Sequence, residues 1–425
     1  MFQDGTANVR PFNSRPSLAS HRSTVYTANA SLSSSDVTDR GAALLRLQTR
    51  RTLGHLTSLP SCSKIPLVTE TKASRLFYLD NLRVALIAGV IAHHAGQAYG
   101  PTGGTWPIME AARAAILGPF FTVNRSFAMS LFFFVSGYFT VISCDAKGPA
   151  AFLKSRLLRL GIPVLVVALV AMLLQVFVFA PKGQHGSPWP VDVGPLWFIE
   201  HLLIFGTAYA LWRMLSGRDL TPNRTPANPP GYLATLLFAL TLAALSGAVR
   251  FWYPIDRWSN VLGFIRVAYA DVPRDLGLFV LGLLAGHGRW LERVPERTGR
   301  NWLLVGLGAA VLWYVYDLLL RDMLPMSPIA LGAIYAVWEE LLCLGLCIGL
   351  VVFFRERLNF SGRLSRALAK SQYAAFIFHM PIVVGLQAAA LKTHWPPFAK
   401  FVLVTILAIP ATFFVSNWLR KWLHL

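Results

Sequence analysis

Residues 329–354 read Ile-Ala-Leu-Gly-Ala-Ile-Tyr-Ala-Val-Trp-Glu-Glu-Leu-Leu-Cys-Leu-Gly-Leu-Cys-Ile-Gly-Leu-Val-Val-Phe-Phe. A helix rising ~1.5 Å per residue needs about 20 mainly apolar residues to cross a hydrocarbon core about 30 Å thick. This stretch is long enough, and its only charges, Glu339 and Glu340, stand side by side near its middle. An acid at membrane depth is costly unless it is paired or wet, so this helix is predicted to pack against polar neighbours. Comparable apolar stretches recur at 79–99, 119–143, 160–180, 195–215, 232–252, 274–288, 302–320, 372–391 and 398–419. Residues 262–270 are a candidate part of the short sixth one. The expected fold is therefore all-α, a polytopic membrane helix bundle with about ten transmembrane helices.

Composition agrees. Of 425 residues, 55% are apolar and only 14% charged, whereas soluble domains run at roughly 45–50% and about 25%. A soluble enzyme, a disordered scaffold and a disulfide-stapled module are all disfavoured. Cys62, Cys144, Cys343 and Cys347 are too scattered for a disulfide framework or a CxxC metal site. No Walker loop, dinucleotide fingerprint or HExxH occurs, and no metal ligand set is expected.

The formal charge of +19 could signal a nucleic acid or a membrane surface, and its distribution decides. With a cytoplasmic N-terminus, inside loops carry 18 Lys and Arg against 9 outside. That bias follows the positive-inside rule with both termini cytoplasmic, and no nucleic-acid partner is expected. The loop holding Arg250, Arg257, Arg266 and Arg274 is the exception, either a misplaced boundary or an external binding surface. Residues 1–74 are rich in Ser and Arg without a long apolar run. They read as a disordered basic N-terminal tail or an overlong start, with an organelle transit peptide as the sharper alternative.

Polar residues within the spans mark the candidate site. Arg83 and His94 are eleven positions apart, three helical turns, so they share a face about 16 Å apart along the axis. That geometry suits a ligand with an anionic head and a long arm ending in a reactive group, the shape of a coenzyme A thioester. Arginine binds phosphate with a planar fork, and a histidine can act as general base for an attacking hydroxyl. The plain alternative is a snorkelling arginine and a packing histidine. Ser136 and Gly137 either let helices approach closely or admit the donor's arm. Arg156 and Arg159 share a face at i and i+3, as an anchor or as a second phosphate clamp. Glu200 and His201 open the fourth span after Trp197, and His379 lies in the ninth.

In chain order these pieces resemble the acyltransferase 3 family of integral membrane O-acyltransferases, most closely its glucan-biosynthesis branch. The residues carrying the resemblance are Leu79-Asp80-Asn81-Leu82-Arg83 with His94, Phe133-Phe134-Val135-Ser136-Gly137-Tyr138-Phe139, Arg156-Leu-Leu-Arg159 with Pro163, Leu196-Trp197-Phe198 and Phe378-His379-Met380-Pro381. The match covers about residues 76–419, within an acyltransferase membrane domain over 75–425. The resemblance implies transfer of an acetyl or succinyl group from acyl-CoA, a co-substrate and not a bound cofactor, to a hydroxyl of a carbohydrate or glycan. It gives Arg83 and His94 the essential roles and matches Arg156 and Arg159 to the family's RxxR pair. Ser136 and Gly137 would then border the donor, and Trp197, Glu200 and His379 the acceptor. The expected location is the cell's inner or plasma membrane. The rival reading is a multispan transporter of a polar or anionic solute, although no internal repeat supports one.

Overall fold

A computed structural model of the chain describes residues 76–101, 106–174, 194–217, 226–324 and 326–422. The chain divides into two units, Met1–Ala73 and Ser74–Leu425. The first lies outside the described residues, and the tail expected over 1–74 lies there with it.

The second unit is a helix bundle. Its helices are α1 (Phe77–Gly96), α2 (Leu117–Lys147), α3 (Pro149–Arg156), α4 (Ile162–Leu174), α5 (Trp197–Leu215), α6 (Tyr232–Arg250), α7 (Val272–Gly288), α8 (Glu296–Val315), α9 (Pro328–Arg357), α10 (Arg363–Ala390) and α11 (Pro397–Trp422). A π-helical turn, Leu157–Gly161, joins α3 to α4 in one rod, and a second, Tyr316–Leu320, extends α8. Each predicted apolar stretch overlaps one rod. Among the described residues six rods are long and apolar enough to cross a membrane: α2, α6, α8 with its π turn, α9, α10 and α11. Of the others, α4 is apolar but short within the described residues, and α1, α5 and α7 carry charged and histidine side chains. Asp80, Arg83, His93 and His94 lie on α1, Glu200 and His201 on α5, and Arg274 and Asp275 on α7.

That difference sorts the helices by place. Helix α1 packs against α2, α9, α10 and α11, so its polar side chains meet protein. Helix α8 leaves Leu304, Val311, Leu312 and Leu319 exposed, as a lipid-facing helix should. The closest crossings use glycine. A Cβ on Gly137 or Gly282 would strike the Phe279 or Phe134 carbonyl across the α2–α7 contact. Gly306 and Gly345 meet backbone to backbone where α8 crosses α9.

One expectation needs correction. Residues 262–270 are not part of the sixth span. They contain β2 (Ile265–Val267), which pairs antiparallel with β1 (Ser259–Val261), and most of a short 3₁₀ turn, Tyr269–Asp271. Leu262 and Gly263 both take positive φ, 52° and 81°, inside the three-residue connection between Val261 and Ile265. From this segment Arg266 lines the cavity, whereas Leu262 and Phe264 are exposed.

Candidate active site

The last turn of α1 carries His93 and His94 to the wall of a cavity of about 1150 Å³, which Trp106, Trp197, Trp258 and Arg125 also line. The His94 imidazole lies flat against the Trp106 indole, centroids 5.3 Å apart and planes 9° apart. One buried side chain fixes both partners. Gln387 of α10 donates from Nε2 to the carbonyls of His94 and Ala95, each at 3.0 Å, and its Oε1 accepts the Trp106 indole N–H at 2.8 Å. The last carbonyls of a helix lack the usual intrahelical partner; the His94 carbonyl also takes the Gln97 backbone N–H at 3.3 Å, and Gln387 satisfies the Ala95 carbonyl and ties the ring above it. His93 is held by Gln97, 3.1 Å between their Nε2 atoms.

His379 stands behind His94, ring centroids 5.1 Å apart, and does not itself line the cavity. Its Nδ1 lies 2.7 Å from the Phe376 carbonyl. A carbonyl only accepts, so Nδ1 carries the proton and a neutral ring keeps its lone pair on Nε2. The ring is fully buried and that Nε2 has no partner among the described residues.

Arg83 lies eleven residues before His94, toward the opposite end of α1. Its guanidinium sits 4.5 Å from the Phe139 ring centroid. Arg156 covers Phe152 at 5.1 Å and donates to Thr140 Oγ1 at 3.3 Å. Arg159, carried on the π turn, lies 5.8 Å from the Tyr373 ring, whose hydroxyl donates to the Arg159 carbonyl at 2.8 Å. The three charges are within electrostatic reach of one another. Each of the three guanidiniums rests on an aromatic face.

The other candidates fall into place unequally. Gly137 faces α7, where its missing side chain lets the two backbones meet, so it packs helices. Ser136 beside it is half-buried. Trp197 lines the cavity, 5.4 Å from Trp258, over which the Arg266 guanidinium lies at 4.7 Å. Glu200 is buried away from the cavity and accepts the Arg266 backbone N–H at 3.1 Å, which anchors β2 as part of the wall. Sequence reasoning missed Trp106 and Gln387. Gln387 had a signal, an amide in an apolar span, whereas Trp106 sits in a connection without periodicity.

Beside the cavity lies a buried charge network. Glu339 is clamped by Arg274 and Arg250, both at 2.5 Å. Arg274 also reaches Asp271 at 3.1 Å and donates to Ser130 at 3.0 Å, and Ser130 donates to Asp275 at 2.7 Å. Glu340 accepts from Ser246 at 3.3 Å. Arg125 pairs with Asp256 at 2.6 Å and donates to Tyr335 at 3.1 Å. Of the four arginines in the anomalous basic loop, Arg250 and Arg274 are paired with acids on α9 and around the start of α7. Among the described residues no group of His, Cys, Asp and Glu is placed to hold a metal.

Residues 76–417 match the model of a protein family described as an acyltransferase domain. The chain belongs to the acyltransferase 3 family. It is an acyltransferase, and its long apolar helices make it an integral multi-pass membrane protein. Its similar relatives include proteins named glucans biosynthesis protein C from Salmonella schwarzengrund, Salmonella typhi and Salmonella typhimurium. Each is 25% identical over 267 residues, 59% of this chain and 67% of the relative. No solved structure matches the chain. The family match spans both ends of the site, from Arg83 to the cavity wall and Gln387.

Proposed function

We propose that this acyltransferase moves an acetyl or succinyl group from acyl-CoA to a hydroxyl of a carbohydrate, a glucan in particular. The observation that carries the reading is the layout of α1, with Arg83 toward one end, within reach of Arg156 and Arg159, and a cavity-facing histidine at the other. In this reading ten rods cross the membrane, both termini are cytoplasmic, and the arginine end faces the donor's compartment. Arg83, Arg156 and Arg159 hold the phosphates, and the pantetheine arm runs past Ser136 toward His94. The excess of basic residues on inside loops and the glucan-related names of the relatives support this arrangement.

The chemistry then needs one proton carrier. His94 takes the proton of the acceptor hydroxyl as its oxygen attacks the thioester carbonyl. The C–S bond breaks, the new ester forms, and the imidazolium returns its proton to the departing thiolate. Trp106 and Gln387 keep the imidazole in line, Trp197 offers a face to the sugar, and His379 backs the ring.

Purified protein in vesicles, given acyl-CoA labelled in the acyl group and a glucan acceptor, tests the proposal. Label should appear as an ester on the glucan, with one free CoA per ester. Solute uptake without acyl-CoA consumption would point instead to a transporter.

A further inference from the structure

The acceptor cavity has a second wall, which the transfer chemistry does not use. At the C-terminal end of α8, Trp313, Asp317 and Arg321 line the cavity together with Gly118 and Thr122 of α2. The helix carrying them is otherwise lipid-facing, yet Asp317 is turned inward, its side chain 18% exposed and paired with Arg321 at 3.1 Å. Two local features permit that. Asp317 lies in the π turn Tyr316–Leu320, and such turns re-aim side chains and recur at functional sites. Opposite it stands a glycine, and a Cβ on Gly118 would come 3.3 Å from Asp317 Oδ2. The Trp313 ring is held by Trp338 at 4.3 Å and Tyr335 at 5.1 Å, and its buried indole N–H has no partner among the described residues.

A flat aromatic face, an unmatched indole donor and a carboxylate beside a guanidinium are the groups that bind the ring and hydroxyls of a sugar. The same combination of ring and cation occurs on the first wall, as Trp197 and Trp258 with Arg266 over the indole. The first wall is built by α5 and the hairpin, the second by α8 and α2, and His94 lines the same cavity. Its volume, about 1150 Å³, also exceeds the ~300–1,000 Å³ typical of pockets for single small molecules.

Resting on the acyl-transfer reading above, we infer that Trp313, Asp317 and Arg321 form a second sugar subsite, so that the acceptor is an oligosaccharide bound on both walls with its reacting unit at His94. A single sugar engages one wall and binds weakly. A longer chain gains the second wall without changing the reacting step.

The test is transfer from labelled acyl-CoA to glucose, a glucose disaccharide and a long oligoglucan, by the wild-type protein and by Trp313→Ala and Asp317→Asn. In the wild type, acceptor KM should fall as the chain lengthens. In either variant the ratio of kcat/KM for the long over the short acceptor should drop about tenfold, the equivalent of ~1.4 kcal/mol, with donor KM as the check on folding. Asp317→Asn keeps the shape should Trp313→Ala not fold. Transfer at equal efficiency to all three acceptors, or an equal loss on all in both variants, overturns the second subsite alone. Acyl-CoA turnover with no carbohydrate ester overturns the carbohydrate reading and the subsite with it.

Discussion

Trp106 and His94 lie ring on ring, 5.3 Å and 9° apart, and both are held by Gln387. The arrangement joins the end of α1, a connecting loop and α10 at one amide. Replacing Gln387 with Leu leaves the Ala95 carbonyl and the Trp106 indole unpaired, while the His94 carbonyl keeps only the Gln97 backbone N–H. Each unsatisfied buried group costs about 1–3 kcal/mol. The variant should lose thermal stability and most of its kcat, while donor KM moves little, because the arginine end is untouched. Steady-state kinetics with varied acyl-CoA, beside a melting curve, separate the two effects.

Arg83 should act through donor affinity. A charge-assisted hydrogen bond to phosphate contributes ~1.5–3 kcal/mol, so Arg83→Ala should raise the KM for acyl-CoA roughly 10- to 100-fold. Arg83→Lys should recover only part of this, because an ammonium cannot form the two-pronged contact. Dephospho-CoA thioesters make the measurement specific, since the variant should discriminate less between them and the full donor.

The α2–α7 crossing gives a prediction independent of catalysis. Gly137→Ala drives a methyl into the Phe279 carbonyl, and relieving such overpacking typically costs ~1–3 kcal/mol. The melting temperature of the purified protein should fall. Ser136→Ala, with no such clash, should leave it near wild type.

The network around Glu339 predicts an asymmetry. Glu339→Ala removes the acid shared by Arg274 and Arg250, leaving Asp271 as their common partner, and breaking a buried pair from one side costs up to ~3–5 kcal/mol. Glu339→Gln keeps hydrogen-bond acceptance and should be milder. Yield of folded protein after detergent extraction ranks them, with wild type above Gln above Ala.

Much of this architecture was legible in the chain because lipid imposes length and apolarity on each helix, and all ten apolar stretches overlap helical rods. The Arg83–His94 relation was legible too, since a single helix fixes it. What escaped depended on contacts distant in sequence. The hairpin at Ser259–Val267 has the apolarity of a span fragment, and only the cross-strand pairing shows it to be a hairpin. Gly137 carried two readings, and the facing Phe279 carbonyl on α7 decides for packing. Glu200 resembled an acceptor residue until the Arg266 backbone N–H supplied its partner. Trp106 and Gln387 lie 281 positions apart, and no local pattern connects them.

The central claim is that His94 performs the transfer while the arginines hold the donor. His94→Ala, purified beside wild type, should bind acyl-CoA with unchanged affinity and form no labelled carbohydrate ester. Ester formation by that variant at the wild-type rate would contradict the account.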